Sequence, residues 1–441
     1  MNKFLRVLGL GLMIATFAFA GFAQQERTRE IVYGEFTSNY QSNEVAKLQV
    51  ALNAAKEYVE KFNTADDEAQ VTYFKNEAIP FLVKEIEKKG TQKLAKEESD
   101  AWFALLGNIE KANKAKNWAE VLSYGKQALD KQHKYLDQGY LTSELVKSQK
   151  LDIAIILGVM GFDRAAEKND TFNNDAVTYL KQAIQQIEAG QTSKNFGLLG
   201  YELKNKENAL GLMNYYIGYI QYYRQKKEGE AIPYFYKATQ YNSAAKDFAA
   251  IYENIGDTYY DKIAELDKKR LERTAVFEKE ENEETKAALA KEIKGIYAEQ
   301  KGYAERGIEA YSKAMKAAQA DAKSSQQYKD SLRGTLEQLY KFRFPDKKDG
   351  IDAYINTAAS KPLTNPATPV QPITEEETPA TTGSTTSTTT STTPSTKPTT
   401  SVTKTTATKT TSPMANGTKT TVKTTTTTEA KTTPAKKPRK R

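Results

Sequence analysis

The chain of 441 residues contains no cysteine. This absence excludes a disulfide framework, a zinc–thiolate site, a thiol nucleophile and a lipidated N-terminal cysteine. The fold must therefore be held together by the packing of apolar side chains. A chain of this length can bury a core large enough for that purpose.

Histidine is almost as scarce, since His133 is the single one and lies in the polar stretch 130–135. Histidine is the commonest general base near neutral pH, but a catalytic one needs a partner and a pocket, and the sequence suggests neither. We expect His133 at the surface or at a helix end. Glycine-rich phosphate loops, His-x-x-x-His pairs and nucleophile elbows are also missing, so the sequence predicts no catalytic residues, no metal and no cofactor.

A long uncharged apolar run occurs only near the N-terminus, over residues 7–20, where it follows Lys3 and Arg6. Small residues with the spacing required by a signal peptidase follow, ending at Ala20 or Ala23. The pattern predicts a Sec-type signal peptide over residues 1–23, with an uncleaved anchor helix as the alternative. We therefore expect an exported protein that is periplasmic, cell-surface or secreted and has no later transmembrane helix.

The positive charge is confined to one end of the chain. Residues 361–441 carry a net charge of +8, which equals the net charge of the whole chain, so residues 1–360 are balanced. A uniformly basic fold that binds nucleic acid specifically is not indicated. Because residues 361–441 are mostly Thr, Ser, Pro, Lys and Ala, with few large apolar side chains, the sequence predicts a disordered tail.

The tail ends in a basic cluster that predicts binding to a polyanion. An exported polycation meets anionic envelope polymers, anionic lipid or extracellular nucleic acid. A solvated spacer is the alternative. The cluster consists of Lys436, Lys437, Arg439, Lys440 and Arg441.

Residues 24–360 predict an all-α domain. Ala, Leu, Lys, Glu, Gln and Tyr dominate from about residue 43, and apolar residues recur at spacings of three and four. The highly charged stretch 266–299 predicts one long polar helix. Short segments also repeat: Glu-Ala-Ile-Pro-Phe-Leu at 77–82 returns as Glu-Ala-Ile-Pro-Tyr-Phe at 230–235.

The repeats share a small residue, an apolar or aromatic residue four positions later, and Ala three positions after that. The sets are Ala231, Phe235 and Ala238; Ala176, Leu180 and Ala183; and Gly307, Tyr311 and Ala314. Pairs ending in glycine precede them, namely Leu106-Gly107, Leu157-Gly158, Ile217-Gly218 and Ile255-Gly256. In these features the chain resembles the tetratricopeptide repeat family. The resemblance implies an α-solenoid of roughly five or six helix hairpins.

The repeats depart from the family in length. Equivalent positions from Ala78 to Ile351 are 43 to 76 residues apart, whereas the family period is about 34. The helices or loops must therefore be longer than in the family.

Aromatic residues are concentrated in the run 214–224, which holds five of the 26 tyrosines. In the register implied by the resemblance, six side chains point into a concave groove. They are Tyr215, Tyr219 and Tyr222, with Glu253, Asp257 and Tyr260 from the next repeat. Tyrosine offers contact area with a polar tip, which suits recognition. The alternative is that these tyrosines pack between the helices.

The function expected from these features is that of an exported scaffold that binds a protein or peptide in the groove of its helical repeats. Two alternatives stay open. The protein could be a cell-envelope structural or tethering protein that acts through its basic tail. It could also be a hydrolase on a helical scaffold, because Asp and Glu are plentiful enough to supply paired carboxylates.

Overall fold

The computed structural model describes residues 27–347 and 349–374. The predicted signal peptide, the tail beyond residue 374 and the five basic residues at its end lie outside this part. The described residues form α-helices joined by turns and loops, without a β-strand, which confirms the all-α helical-repeat fold class.

The α-helices of the described residues are numbered α1 to α13 in chain order. They are α1 Arg29–Asn39, α2 Val45–Lys61, α3 Glu68–Tyr73, α4 Ile79–Lys114, α5 Trp118–Asp130, α6 Ser143–Ala166, α7 Asn173–Glu188, α8 Lys206–Tyr219, α9 Glu228–Gln240, α10 Ala249–Phe277, α11 Glu283–Ala320, α12 Gln326–Arg343 and α13 Ile351–Ser360. Two π-helical segments, Phe74–Ala78 and Ile220–Arg224, continue α3 and α8.

The described residues fall into two compact units. The first holds residues 27–101 and 133–142. Its core lies between α1, α2 and the first π-helical segment, where the rings of Tyr58 and Phe36 contact Phe74 at 5.1 and 4.7 Å between centroids. His133 belongs to this unit and its side chain is only 3% exposed, with Nδ1 lying 3.3 Å from Glu98 Oε1. The side chain therefore does not lie at the surface, and of the two expected positions the helix end is the one that fits, since His133 is three residues beyond the last residue of α5.

The second unit holds residues 102–132, 143–347 and 349–374. Its core is built from the hairpins α6–α7, α8–α9 and α10–α11. Each hairpin has the same interlock, in which a glycine of the first helix faces a large side chain of the second. A Cβ atom added to Gly158, Gly218 or Gly256 would lie 2.6 Å from Leu180, 2.7 Å from Phe235 or 2.8 Å from Tyr311, respectively. Small residues at these positions let the two helices approach closely.

These three contacts join the two motifs found in the sequence. The glycine pairs at 157–158, 217–218 and 255–256 supply the small residues, and the large member of each three-residue set supplies the partner. The pair at 106–107 does not take part, because no atom lies within 4 Å of a Cβ added to Gly107.

The charged stretch 266–299 is not one helix. It forms the distal part of the α10–α11 hairpin, whose turn lies at residues 278–282. Asn282 caps the start of α11, since its Oδ1 accepts a hydrogen bond from the Thr285 N–H at 2.9 Å. An asparagine at this position stabilises the start of a helix. It is the local sequence signal for a second helix, which the spacing of apolar residues did not show.

The fold extends past the boundary predicted at residue 361. Residues 361–374, which we call the strap, leave α13 and lie along α11. Leu363 of the strap is buried in the core, and the Ile373 N–H donates a hydrogen bond to Ala298 O at 2.8 Å. Composition placed the boundary at residue 361 because proline and threonine are typical of linkers. The surface of α11 that the strap contacts is distant in sequence, so the contact left no local signal.

Candidate functional site

The tyrosine run lies at the end of α8 and in the π-helical segment that follows. Tyr215 and Tyr222 are buried, with exposed fractions of 6% and 4%. Tyr215 packs against Phe248 and Tyr222 against Phe235, at 4.9 and 5.8 Å between ring centroids. This corrects the expectation that both tyrosines open onto a groove, and the alternative of packing between helices holds for them.

Tyr219 differs, because it is only half-buried. Its ring contacts Phe162 of α6 at 5.3 Å and Tyr223 at 4.9 Å. Tyr223 is also half-buried. The π-helical segment explains why it replaces Tyr222 on this face. A π turn contains more residues than an α turn, so side chains beyond Ile220 are rotated away from the positions that a regular helix predicts.

A group of tyrosines and carboxylates connects this face to three other helices. We call Tyr223, Glu253, Asn254, Asp257, Tyr311 and Tyr328 the tyrosine–carboxylate cluster. The Tyr223 hydroxyl donates to Asn254 Oδ1 at 2.8 Å, the Tyr328 hydroxyl to Glu253 Oε2 at 2.8 Å, and the Tyr311 hydroxyl to Asp257 Oδ1 at 2.5 Å. The cluster thus links the end of the α8 helix to α10, α11 and α12.

The electrostatics of the cluster keep its hydroxyls protonated. Burial raises the pKa of Tyr311, and the nearby Asp257 carboxylate raises it further. Burial and then Glu253 act in the same direction on the pKa of Tyr328. Tyrosinate beside a carboxylate in a low-dielectric site is strongly disfavoured, so both phenols act as donors and hold the carboxylates in place.

The repeat interlock positions one of these donors. The Tyr311 ring packs where a side chain on Gly256 would otherwise lie, and its hydroxyl reaches Asp257, the next residue on α10. The residues that shape the hairpin therefore also build the cluster.

The three residues predicted from the next repeat all lie on α10. Glu253 is half-buried, whereas Asp257 and Tyr260 are buried. The Tyr260 hydroxyl donates to Gln338 Oε1 of α12 at 3.1 Å. Of the six predicted side chains, Tyr219 and Glu253 are therefore the two that are partly open to solvent.

Sequence reasoning missed Tyr223, Asn254, Tyr311 and Tyr328 as members of the site. Tyr223 belongs to the same run and was excluded by the assumption of a regular helix. Tyr311 was recognised only as a packing residue. Tyr328 lies on α12 in a stretch without a motif, and only its contact with Glu253 reveals its place.

A second group surrounds Asp163 at the end of α6. Burial raises the pKa of this carboxyl to about 6. Its neighbour Arg164 lies over the Trp118 ring, 4.5 Å from the centroid. Burial, with a smaller contribution from Asp163, raises the pKa of Tyr201 to about 12. Asp163 is therefore a titratable group whose charge costs stability in the folded protein.

The carboxylate oxygens of the cluster accept hydrogen bonds from phenols that remain protonated, and its six residues include no histidine. Two surface clefts of about 560 and 420 Å³ lie elsewhere in the second unit, near Lys126 and Lys316. Within the described ranges, no three side chains of His, Cys, Asp or Glu are grouped as metal ligands.

Comparison of the chain with protein-family models, curated proteins and solved structures gave no match. In the part that the structure covers, none of the helices is sufficiently long and apolar to span a bilayer.

Proposed function

We propose that this protein is an exported, non-enzymatic scaffold with tetratricopeptide-like repeats that binds a peptide or protein partner. The binding surface is the half-buried face formed by Tyr219, Tyr223 and Glu253. The observation that carries the proposal is the position of Glu253, a carboxylate on α10 held by the Tyr328 hydroxyl and partly open to solvent.

Preorganisation is the physical support for this proposal. Glu253 is oriented by a hydrogen bond of 2.8 Å, and Tyr219 is fixed by rings on two sides. Groups held in this way lose little conformational entropy when a partner binds. Tyrosine and a fixed carboxylate together suit a partner that presents an amide or a cationic side chain beside an apolar one.

Capture of a partner from an envelope extract tests the proposal. Tyr219→Ala should weaken capture by about 2 kcal/mol, which is typical of a tyrosine hot spot. The matched control is Tyr236→Ala, which removes another half-buried tyrosine, on α9. Equal capture by the two variants at equal melting temperature would remove Tyr219 from the binding surface.

A second candidate function rests on the distribution of charge. The whole excess of +8 lies beyond residue 360, and this favours tethering to an anionic polymer through the tail. Such binding is dominated by counterion release and should weaken steeply as salt rises.

A chain ending at Thr374 keeps the strap and lacks eleven of the twelve Lys and Arg residues beyond residue 360, so it is the control for tethering. Full-length protein should be retained on an anionic matrix at low salt and released at moderate salt, and the shortened chain should not be retained. If both chains were retained equally, or if retention did not depend on salt, the tail would act only as a spacer.

A further inference from the structure

The strap follows a defined path over α11. It starts beside α13, where Lys313 Nζ donates to Ala359 O at 3.2 Å. The chain then passes Glu309 and Gly302 and reaches Ala298, so it runs antiparallel to α11. From Glu309 to Ala298 this path covers about 16 Å of helix, at a rise of about 1.5 Å per residue.

Both ends of the path are fixed by backbone hydrogen bonds. At one end the Glu309 carboxylate accepts from Thr364 twice, from the backbone N–H at 2.5 Å and from the hydroxyl at 2.7 Å. At the other end the Ile373 N–H donates to the Ala298 carbonyl at 2.8 Å. Ala298 lies inside α11, and its carbonyl oxygen has two lone pairs, so it can accept this bond as well as one within the helix.

Gly302 makes that second bond possible. A Cβ atom on Gly302 would lie 2.3 Å from Gln371 O and 2.8 Å from a Val370 methyl group. Gly302 lies one turn after Ala298 and so leaves the helix backbone accessible to the strap. Because the closest atom belongs to backbone, a side chain at position 302 cannot be accommodated by a rotamer change alone.

The composition of the strap suits this mode of binding. It contains four prolines, at 362, 366, 369 and 372. Proline restricts the free chain and has no N–H to satisfy, so ordering such a segment costs less entropy than ordering an ordinary loop. Leu363 anchors one end in the core, while Val370 and Ile373 are half-buried near the other.

From these contacts we propose that the face of α11 between Ala298 and Glu309 is a receptor surface for an extended, proline-containing peptide. The strap is its occupant and binds in cis as a tethered ligand. A tethered segment acts at an effective concentration of order millimolar. The few contacts described above are therefore sufficient in cis, and an equivalent free peptide binds only when the strap is displaced.

Amide hydrogen exchange of the full-length protein tests the docking. In the unmodified chain the amides of Thr364 and Ile373 should be protected. Gly302→Ala should raise their exchange rates at least tenfold. The matched control is Gly295→Ala on the same helix, where an added Cβ meets no atom within 4 Å. It adds the same methyl group and should leave the strap protected.

Ile373→Pro keeps α11 intact and removes the N–H that donates to Ala298, so it covers the case in which Gly302→Ala unfolds the helix. It should raise the exchange rate at Thr364, whose N–H bonds to Glu309 at the other end of the strap. Equal protection in the unmodified chain and both strap-directed variants would overturn the proposal. So would unprotected strap amides in the unmodified chain.

Competition in trans tests the receptor surface itself. The probe is a labelled synthetic peptide of residues 361–374. Full-length protein carrying Leu363→Asp and Ile373→Asp should bind it at least tenfold more tightly than the unmodified protein, whose own strap occupies the surface. Adding Gly302→Ala to the released chain should abolish this binding. Equal binding by all three proteins would contradict the receptor surface.

Discussion

The two halves of the α10–α11 hairpin are made from the same two helices but differ in what holds them together. Near its base, Ile255, Tyr259 and Ile263 are buried against α11. In the distal half, Leu271 and Val276 are 49% and 47% exposed, and Arg273 pairs with Glu292 at 3.0 Å on the surface. The base is a core, and the distal half relies on helix propensity and weak surface pairs.

The stability of this hairpin resides mainly at its base. Apolar burial at the base contributes about 25 cal/mol per Å² of surface, whereas an exposed ion pair contributes about 0–1 kcal/mol. We therefore expect identical substitutions to have different effects in the two halves.

Truncation of an apolar side chain should show the largest contrast. Ile255→Ala removes a fully buried side chain and should lower the free energy of unfolding by about 2–5 kcal/mol. Leu271→Ala should change it by less than about 0.5 kcal/mol, because this side chain is already half in water. Urea denaturation of both variants measures the contrast, and similar losses would show that the distal half is also a core.

Glycine substitution should give effects of opposite sign. Gly256→Ala places a methyl group 2.8 Å from the Tyr311 ring and should destabilise by about 1–3 kcal/mol. Gly295→Ala has open space around the new methyl group and should stabilise by about 0.5–1 kcal/mol through helix propensity. Melting temperatures report both signs, and a stabilising Gly256→Ala would refute the interlock.

Removal of a carboxylate charge should also have different effects in a packed region, at Asp163, and on the exposed distal hairpin, at Glu292. The pKa of Asp163 is raised to about 6 in the folded protein, from 3.8. Folding therefore favours the protonated form. The penalty is absent below pH 3.8, grows as pH rises, and is complete above about pH 6.

Asp163→Asn should accordingly stabilise the protein by about 2 kcal/mol at pH 7.5 and by little at pH 4. Glu292→Gln, on the exposed distal hairpin, should change stability by less than about 0.5 kcal/mol at either pH. Denaturation at the two pH values checks this. If Asp163→Asn increased the stability equally at both pH values, the carboxyl group would not be desolvated.

The hairpin interlocks were predictable because they depend on short spacings. The glycines at 158, 218 and 256 and their partners at 180, 235 and 311 each belong to a motif of a few residues, and the helical period places them on the facing sides. The all-α class followed in the same way from composition and periodicity.

The candidate site was only partly predictable. Tyr219 and Glu253 were identified, but the π-helical segment at 220–224 changed which tyrosine accompanies them. Tyr328 belongs to the site through its hydrogen bond with Glu253, a residue 75 positions away in sequence. Such pairings, like that of the strap with α11, depend on tertiary structure and leave no periodic signal in the sequence.

The measurement that bears most directly on the proposed scaffold is photo-crosslinking in cells that produce the full-length protein. A photoreactive phenylalanine analogue replaces Tyr219 in one variant and Tyr236 in another, since both tyrosines are half-buried. We expect a discrete crosslinked partner from position 219, lost when Glu253→Gln is added, and none from position 236. The same adducts from both positions, or adducts from position 236 alone, would contradict a binding surface formed by Tyr219, Tyr223 and Glu253.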